Sequence, residues 1–116
     1  MKHLSLLFTA SLFSIMHLHA QSDQIKTESF KVYGNCGMCK STIEKAAKSV
    51  NGVNSAIWDV KTDTISISYD SQLTDSDIIL QAIANKGYDS DSHRATDKAY
   101  YNLPGCCQYD RPEKKN

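Results

Sequence analysis

Four cysteines carry the most distinctive chemistry of this 116-residue sequence, and they occur as two pairs. The first pair, Cys36 and Cys39, encloses Gly37 and Met38. Two thiols at this spacing can hold one soft metal ion or close into a small redox disulfide. The first pair is therefore the candidate site. The remaining question is what the adjacent pair near the other end, Cys106 and Cys107, adds to it.

The N-terminus has the three-part plan of a secretory signal peptide. A short basic start is followed by an apolar or small run over residues 4–16, and the segment ends at the small residue Ala20. This run is shorter than the roughly 20 residues that a membrane-spanning helix needs. We predict cleavage after Ala20, with an uncleaved N-terminal anchor as the alternative. The mature chain, residues 21–116, would then be periplasmic or secreted, with no stable membrane insertion.

The charge balance argues against a nucleic-acid partner. Lys and Arg total 13, as do Asp and Glu, so the formal net charge is zero. A neutral chain creates no long-range field for a phosphate backbone. We expect a monomer that meets its partners through small, transient interfaces.

Hydrophobic periodicity predicts one small domain with a flexible segment over residues 21–26 before it. Strands are predicted over residues 27–33, 53–60 and 64–69, with a short polar strand over 88–95. Helices are predicted over residues 39–50 and from Asp75 to Gly87, the second with Thr74 as its N-cap. This order is that of an α+β, ferredoxin-like βαββαβ sandwich, with two helices on one face of a four-stranded antiparallel sheet. Residues 96–116 form a C-terminal extension.

The predicted elements place Cys36 and Cys39 in the loop that precedes the first helix. The partial positive charge of a helix N-terminus lowers a thiol pKa, and Lys40 would add to that effect. A low thiol pKa favours metal capture near neutral pH because less proton release is needed. A domain this small leaves little room for an enclosed substrate cavity, so we predict that the protein is not an enzyme.

Residues 27–91 resemble the heavy-metal-associated domain of copper chaperones, metal-exporting ATPases and the periplasmic mercury-binding protein. The resemblance rests on the first cysteine pair and on three landmarks at matching intervals: Asn51-Gly52-Val53, Ile67-Ser68-Tyr69-Asp70 and Lys86-Gly87-Tyr88. The resemblance assigns residues 27–95 to this domain. One position departs from the pattern: Gly34 stands where the family usually has a Met packed under the loop.

The resemblance implies a soft-metal carrier. Cys36 and Cys39 would hold the ion, and Tyr88 would either shield it from water or simply pack in the core. Thiolate pairs suit Cu(I), our first choice, and also Hg(II), Zn(II) and Cd(II). The carrier would pass the ion by thiolate exchange to a metal-exporting transporter or another metal-binding domain.

The sequence leaves open whether further residues bind the ion. Cys106 and Cys107 could join the first pair in a three- or four-thiolate site, form disulfides with it, or bind a soft metal separately. His93 could add an imidazole or be solvated, and Met38 could be a weak thioether ligand or a packing residue.

Two other classes of function remain as alternatives. A thioredoxin-like redox module would need a strand–helix–strand segment before the motif, where only residues 21–35 are available, and a cis-proline that neither Pro104 nor Pro112 supplies. A disulfide-stapled interaction module would use its cysteines only for stability.

Overall fold

The computed structural model describes residues 24–115, so the predicted signal peptide over residues 1–20 lies outside the described residues. The elements in chain order are β1 (Ile25–Lys31), α1 (Gly37–Lys48), β2 (Val53–Asp59), β3 (Thr64–Asp70), α2 (Ser76–Asn85) and α3 (Asp97–Tyr101). One turn of 3-10 helix follows at Gly105–Cys107. In this part of the chain, none of the helices has the length and apolar character needed to cross a membrane.

The sheet is antiparallel, with the strand order β1-β3-β2. Alternate residues of the central strand, Ile65 and Ile67, are fully buried, as is Trp58 of β2. Helices α1 and α2 supply the other half of the core, with Ile43 and Ile83 among their buried side chains. The predicted α+β class, with helices packed on an antiparallel sheet, is therefore confirmed.

The predicted fourth strand over residues 88–95 is not confirmed. The described sheet has three strands, and this segment contributes only an isolated bridge between Val32 and Ser90. The Ser90 N–H donates to the His93 carbonyl at 2.8 Å, which closes a turn. The Ala95 N–H donates to the Asp89 carboxylate at 2.7 Å. These bonds, in a run rich in Asp and Ser, turn the backbone so that it does not pair with β1 as a fourth strand.

Most ends of the helices and strands differ from the sequence prediction by one or two residues, and α1 begins at Gly37 rather than at Cys39. β1 begins at Ile25, because Ile25 and Lys26 pair with the last residues of β3, so the predicted flexible segment overlaps this strand. Helix α2 has Asp75 rather than Thr74 as its N-cap, and the Asp75 carboxylate accepts from the Ile78 N–H at 2.9 Å. Gly87, predicted to end this helix, has a φ of 104°, which favours glycine.

Candidate metal centre

Cys36 and Cys39 lie at the start of α1, at the edge of the core. Cys36 is the N-cap residue, with extended backbone (φ −148°), and its side chain is partly exposed. Cys39 is in the first turn of the helix and is buried. Their Sγ atoms are 3.9 Å apart and both thiols are free. The pair therefore presents one accessible and one sheltered sulfur.

The helix start favours the thiolate form of Cys36. The backbone N–H groups of Cys39 and then Met38 lower the pKa of the Cys36 thiol below its ordinary value, because partial positive charge at a helix N-terminus stabilises an anion.

Lys40, which was expected to act on the thiols, makes other contacts. Its Nζ donates to Glu44 Oε2 at 2.7 Å and to the Trp58 carbonyl at 2.8 Å. Lys40 thus ties α1 to β2.

The C-terminal extension brings the second cysteine pair to the first. The Sγ atoms of Cys36, Cys106 and Cys107 all lie within 4.8 Å of one another. Cys106 is exposed, Cys107 is buried, and both thiols are free. Met38 Sδ lies 4.0 Å from Cys106 Sγ at the exposed rim of this cluster. The extension therefore brings Cys106 and Cys107 next to Cys36 rather than leaving them apart from the first pair.

Three tyrosines hold the extension against the domain. The ring of Tyr109 stacks on Tyr88, with centroids 5.9 Å apart, and meets Tyr100 edge to face at 5.1 Å. The Tyr109 hydroxyl donates to the Gly87 carbonyl and accepts from the Asp89 N–H, both at 2.7 Å. The Tyr100 hydroxyl donates to the Tyr109 carbonyl at 2.6 Å. Because these groups are buried, the bonds fix the path of the chain on both sides of the second cysteine pair.

The acidic segment that precedes the extension contains a buried carboxylate. An Asp-rich stretch ordinarily forms a solvated face, but Asp89 is 0% exposed. Its carboxylate receives two N–H groups from Arg111, at 2.8 and 2.9 Å. The Arg111 guanidinium also bonds Asp97 and lies over the Tyr100 ring. A partner 22 positions away along the chain leaves no local sequence signal, so sequence reasoning missed this pair.

Tyr88 lies against the buried sulfurs. Burial, followed by the neighbouring Cys107 and Cys39 thiols, raises the pKa of the Tyr88 hydroxyl well above its ordinary value. Burial and then the Cys39 thiol raise the pKa of Cys107 to about 12. Tyr88 is therefore a buried core residue that neighbours the sheltered thiols of Cys39 and Cys107.

The structure places His93 outside the cysteine cluster. Its Nε2 lies 2.7 Å from Asp77 Oδ1 and its Nδ1 lies 2.7 Å from the Ser92 hydroxyl. Among the described residues, the ligand group that comes together contains only cysteines. Both ring nitrogens of His93 already have polar partners, so the structure gives no support to His93 as a ligand.

An aromatic ring, rather than a methionine, packs under the loop that precedes α1. A Cβ on Gly34 would lie 3.0 Å from the Trp58 ring and 3.1 Å from Ile43 Cδ1. Trp58 is fully buried, and its Nε1–H donates to the Val32 carbonyl at 2.9 Å. Trp58 therefore fills the space under the loop, and a side chain at position 34 would press on its ring and on Ile43.

Comparison with known proteins gives relatives with the same domain. The profile of the heavy-metal-associated domain matches residues 31–89. The copper chaperone CopZ of Staphylococcus aureus is 34% identical over 55 residues, which are 47% of this chain and 81% of the relative. The solved structure of a CopZ metallochaperone aligns with a TM-score of 0.54 at 33% identity, over 56% of this chain and 98% of that one.

A transporter domain is also similar. The water-soluble region of the P-type ATPase CopA from Bacillus subtilis aligns with a TM-score of 0.54 at 31% identity, over 57% of this chain and 44% of that one. The family profile includes Cys36 and Cys39 and ends at Asp89, so Cys106 and Cys107 lie beyond it. The profile, the fold and the position of the first cysteine pair agree, and the chain belongs to the heavy-metal-associated domain family.

Proposed function

We propose that this chain is an exported carrier of a thiophilic metal ion, with Cu(I) as its first candidate cargo, held by Cys36 and Cys39. The observation that carries the proposal is the pair itself. Cys36 is a thiol with a lowered pKa at a helix start, it is accessible, and it lies 3.9 Å from a second free thiol. Soft thiolates select soft ions.

Transfer would proceed by exchange of ligands. A thiolate of the partner binds the ion at its exposed side while the ion is still bound to both cysteines. One bond from the ion to a cysteine of the carrier then breaks, a second thiolate of the partner binds the ion, and the remaining carrier bond breaks. The released thiolates of the carrier take up the protons that the partner's thiols lost. The oxidation state of the ion does not change. The relatives, a copper chaperone and the soluble region of a P-type ATPase, support a metal-exporting transporter or another metal-binding domain as the partner.

The test is an anaerobic Cu(I) titration of the reduced mature chain against a competing chromophoric chelator. We expect tight binding by the wild-type chain. Replacement of both cysteines in Cys36→Ser/Cys39→Ser should lower the affinity by more than about 100-fold, the upper end of what loss of an outer-shell partner costs. The matched control is Ser41→Ala, a change at an exposed hydroxyl of the same helix. It should leave the affinity unchanged.

Two results would contradict the carrier. A wild-type chain without tight Cu(I) binding would remove the proposal, and a Cys36–Cys39 disulfide of defined potential would put the redox module in its place. Export is tested separately by mass spectrometry of the protein recovered from its native source. An N-terminal peptide that begins at Gln21 supports cleavage, whereas one that retains Met1 contradicts it.

A further inference from the structure

We propose that the C-terminal extension completes a three-sulfur metal site, with Cys36, Cys106 and Cys107 as the ligands. The inference rests on the proposed function for the identity of the cargo, a thiophilic ion. It differs from that function in the ligand set, because two of the three sulfurs lie beyond the matched domain, which ends at residue 89.

The spacing of the sulfurs suits three-coordination. With metal–thiolate bonds of about 2.3 Å, a trigonal site needs sulfur separations of about 4.0 Å, and a linear site needs about 4.6 Å. The three Sγ atoms lie within 4.8 Å of one another, so an ion could be enclosed by side-chain movements of less than about 1 Å. The separation of Cys36 and Cys39, 3.9 Å, is likewise closer to the trigonal than to the linear value.

Cys36 is common to both sets of ligands. It pairs with Cys39 across the first turn of α1 and forms the second group with Cys106 and Cys107. An ion on Cys36 can therefore exchange Cys39 for the two thiolates of the extension without leaving the protein. The first arrangement is open to a partner, and the second is closed by the chain itself.

The extension is positioned by contacts that need no metal. The Asn35 side chain, next to Cys36, donates to the Cys106 carbonyl at 3.3 Å. Beyond the pair, Tyr109 is 2% exposed and Arg111 bonds the buried Asp89. Because both flanks of the pair are fixed before an ion arrives, little conformational entropy is lost on binding, and affinity gains accordingly.

The exposure of Cys106 determines which bond to the ion a partner would replace first. Cys107 is buried and Cys106 is exposed, so a thiolate of a partner would displace Cys106 first. A chain with the extension should therefore retain its ion longer than one without this sulfur. The extension acts as an internal competitor of the partner.

The experiment is copper X-ray absorption on the Cu(I)-loaded mature chain, with affinity measured by chelator competition. We expect three sulfur neighbours in the wild type and two in Cys106→Ser, with at least a tenfold lower affinity. Cys106 is exposed, so its substitution should leave the fold intact, which near-ultraviolet circular dichroism checks. Cys107→Ala should likewise leave two sulfur neighbours and lower the affinity. If this core variant does not fold, Cys106→Ser decides alone.

Two further outcomes are decisive. An unchanged sulfur count and affinity in Cys106→Ser would overturn the inference. The matched control is Met38→Leu, which removes the thioether 4.0 Å from Cys106 and should leave three sulfurs. If Met38→Leu lost the third sulfur and Cys106→Ser kept it, the extension would not supply the ligand.

Failure of the inference is distinguishable from failure of the proposed function. If only the inference is wrong, the wild type and Cys106→Ser both bind Cu(I) tightly, and Cys36→Ser/Cys39→Ser does not. If the carrier is wrong, the wild type itself does not bind tightly.

Discussion

Arg111 in the extension binds the buried carboxylate of Asp89 at the end of the matched domain. Two N–H···O bonds of 2.8 and 2.9 Å join them, and the Arg111 and Asp89 side chains are only 11% and 1% exposed. Bidentate geometry is the strongest form of this ion pair. The pair thus fastens the segment that carries Cys106 and Cys107 to the domain that carries Cys36 and Cys39.

Loss of the guanidinium should destabilise the protein strongly. Arg111→Ala leaves the Asp89 carboxylate buried without its charge partner, and breaking a buried pair in this way costs about 3–5 kcal/mol. We expect the free energy of unfolding, measured by urea titration, to fall by an amount in that range. The control is Asp97→Asn, which removes only the 64% exposed partner of the same Arg111 and should cost less than about 1 kcal/mol. Equal effects of the two substitutions would refute the importance of the Asp89 pair.

The hydroxyl of Tyr109 is a second fastening point for the extension. Tyr109→Phe keeps the ring that stacks on Tyr88 but leaves the Gly87 carbonyl and the Asp89 N–H without their partner. Unsatisfied buried groups cost about 1–3 kcal/mol each, so we expect a loss of at least about 1 kcal/mol in the same urea titration. Tyr101→Phe is the matched control, because Tyr101 is 68% exposed. A Tyr109→Phe chain as stable as Tyr101→Phe would show that these bonds do not stabilise the docked extension.

Local patterns predicted the domain and not the docking of the extension. Apolar residues at helical spacing gave α1, and alternation gave β3, because each pattern is contained within a few residues. The meeting of Cys106 with the first pair depends on contacts such as that of Asn35 with Cys106, 71 positions apart. It also depends on the burial of Asp89. No local period encodes either feature, so the sequence left the role of the second pair open.

The ring of Trp58 packs under the loop that precedes α1, and this contact explains the glycine at position 34. A Cβ at Gly34 would come within 3.0 Å of that ring and 3.1 Å of Ile43. Overpacking of a filled core costs about 1–3 kcal/mol, so Gly34→Ala should lower the free energy of unfolding by that amount in a urea titration. Gly37→Ala is the matched control in the same loop region, because nothing lies within 4 Å of its added methyl group. Since Gly37 is helical, that change should be neutral or stabilising by up to about 1 kcal/mol. A stable Gly34→Ala chain would mean that Trp58 can shift without cost.

The thiols of Cys36 and Cys107 should differ in their pH-dependent alkylation. The thiolate is the nucleophile, and the amides at the helix start lower the pKa of Cys36 below its ordinary value of 9.0. Burial raises the pKa of Cys107 to about 12. As pH rises towards 9, Cys36 should therefore be modified by iodoacetamide while Cys107 stays protonated and protected in the folded chain. Peptide mapping by mass spectrometry of the reduced, metal-free protein gives the rate at each site.

In urea the protection of Cys107 should disappear, because both burial and the neighbouring Cys39 thiol are lost. Equal rates for the two thiols in the folded chain would contradict an accessible Cys36 beside a buried Cys107.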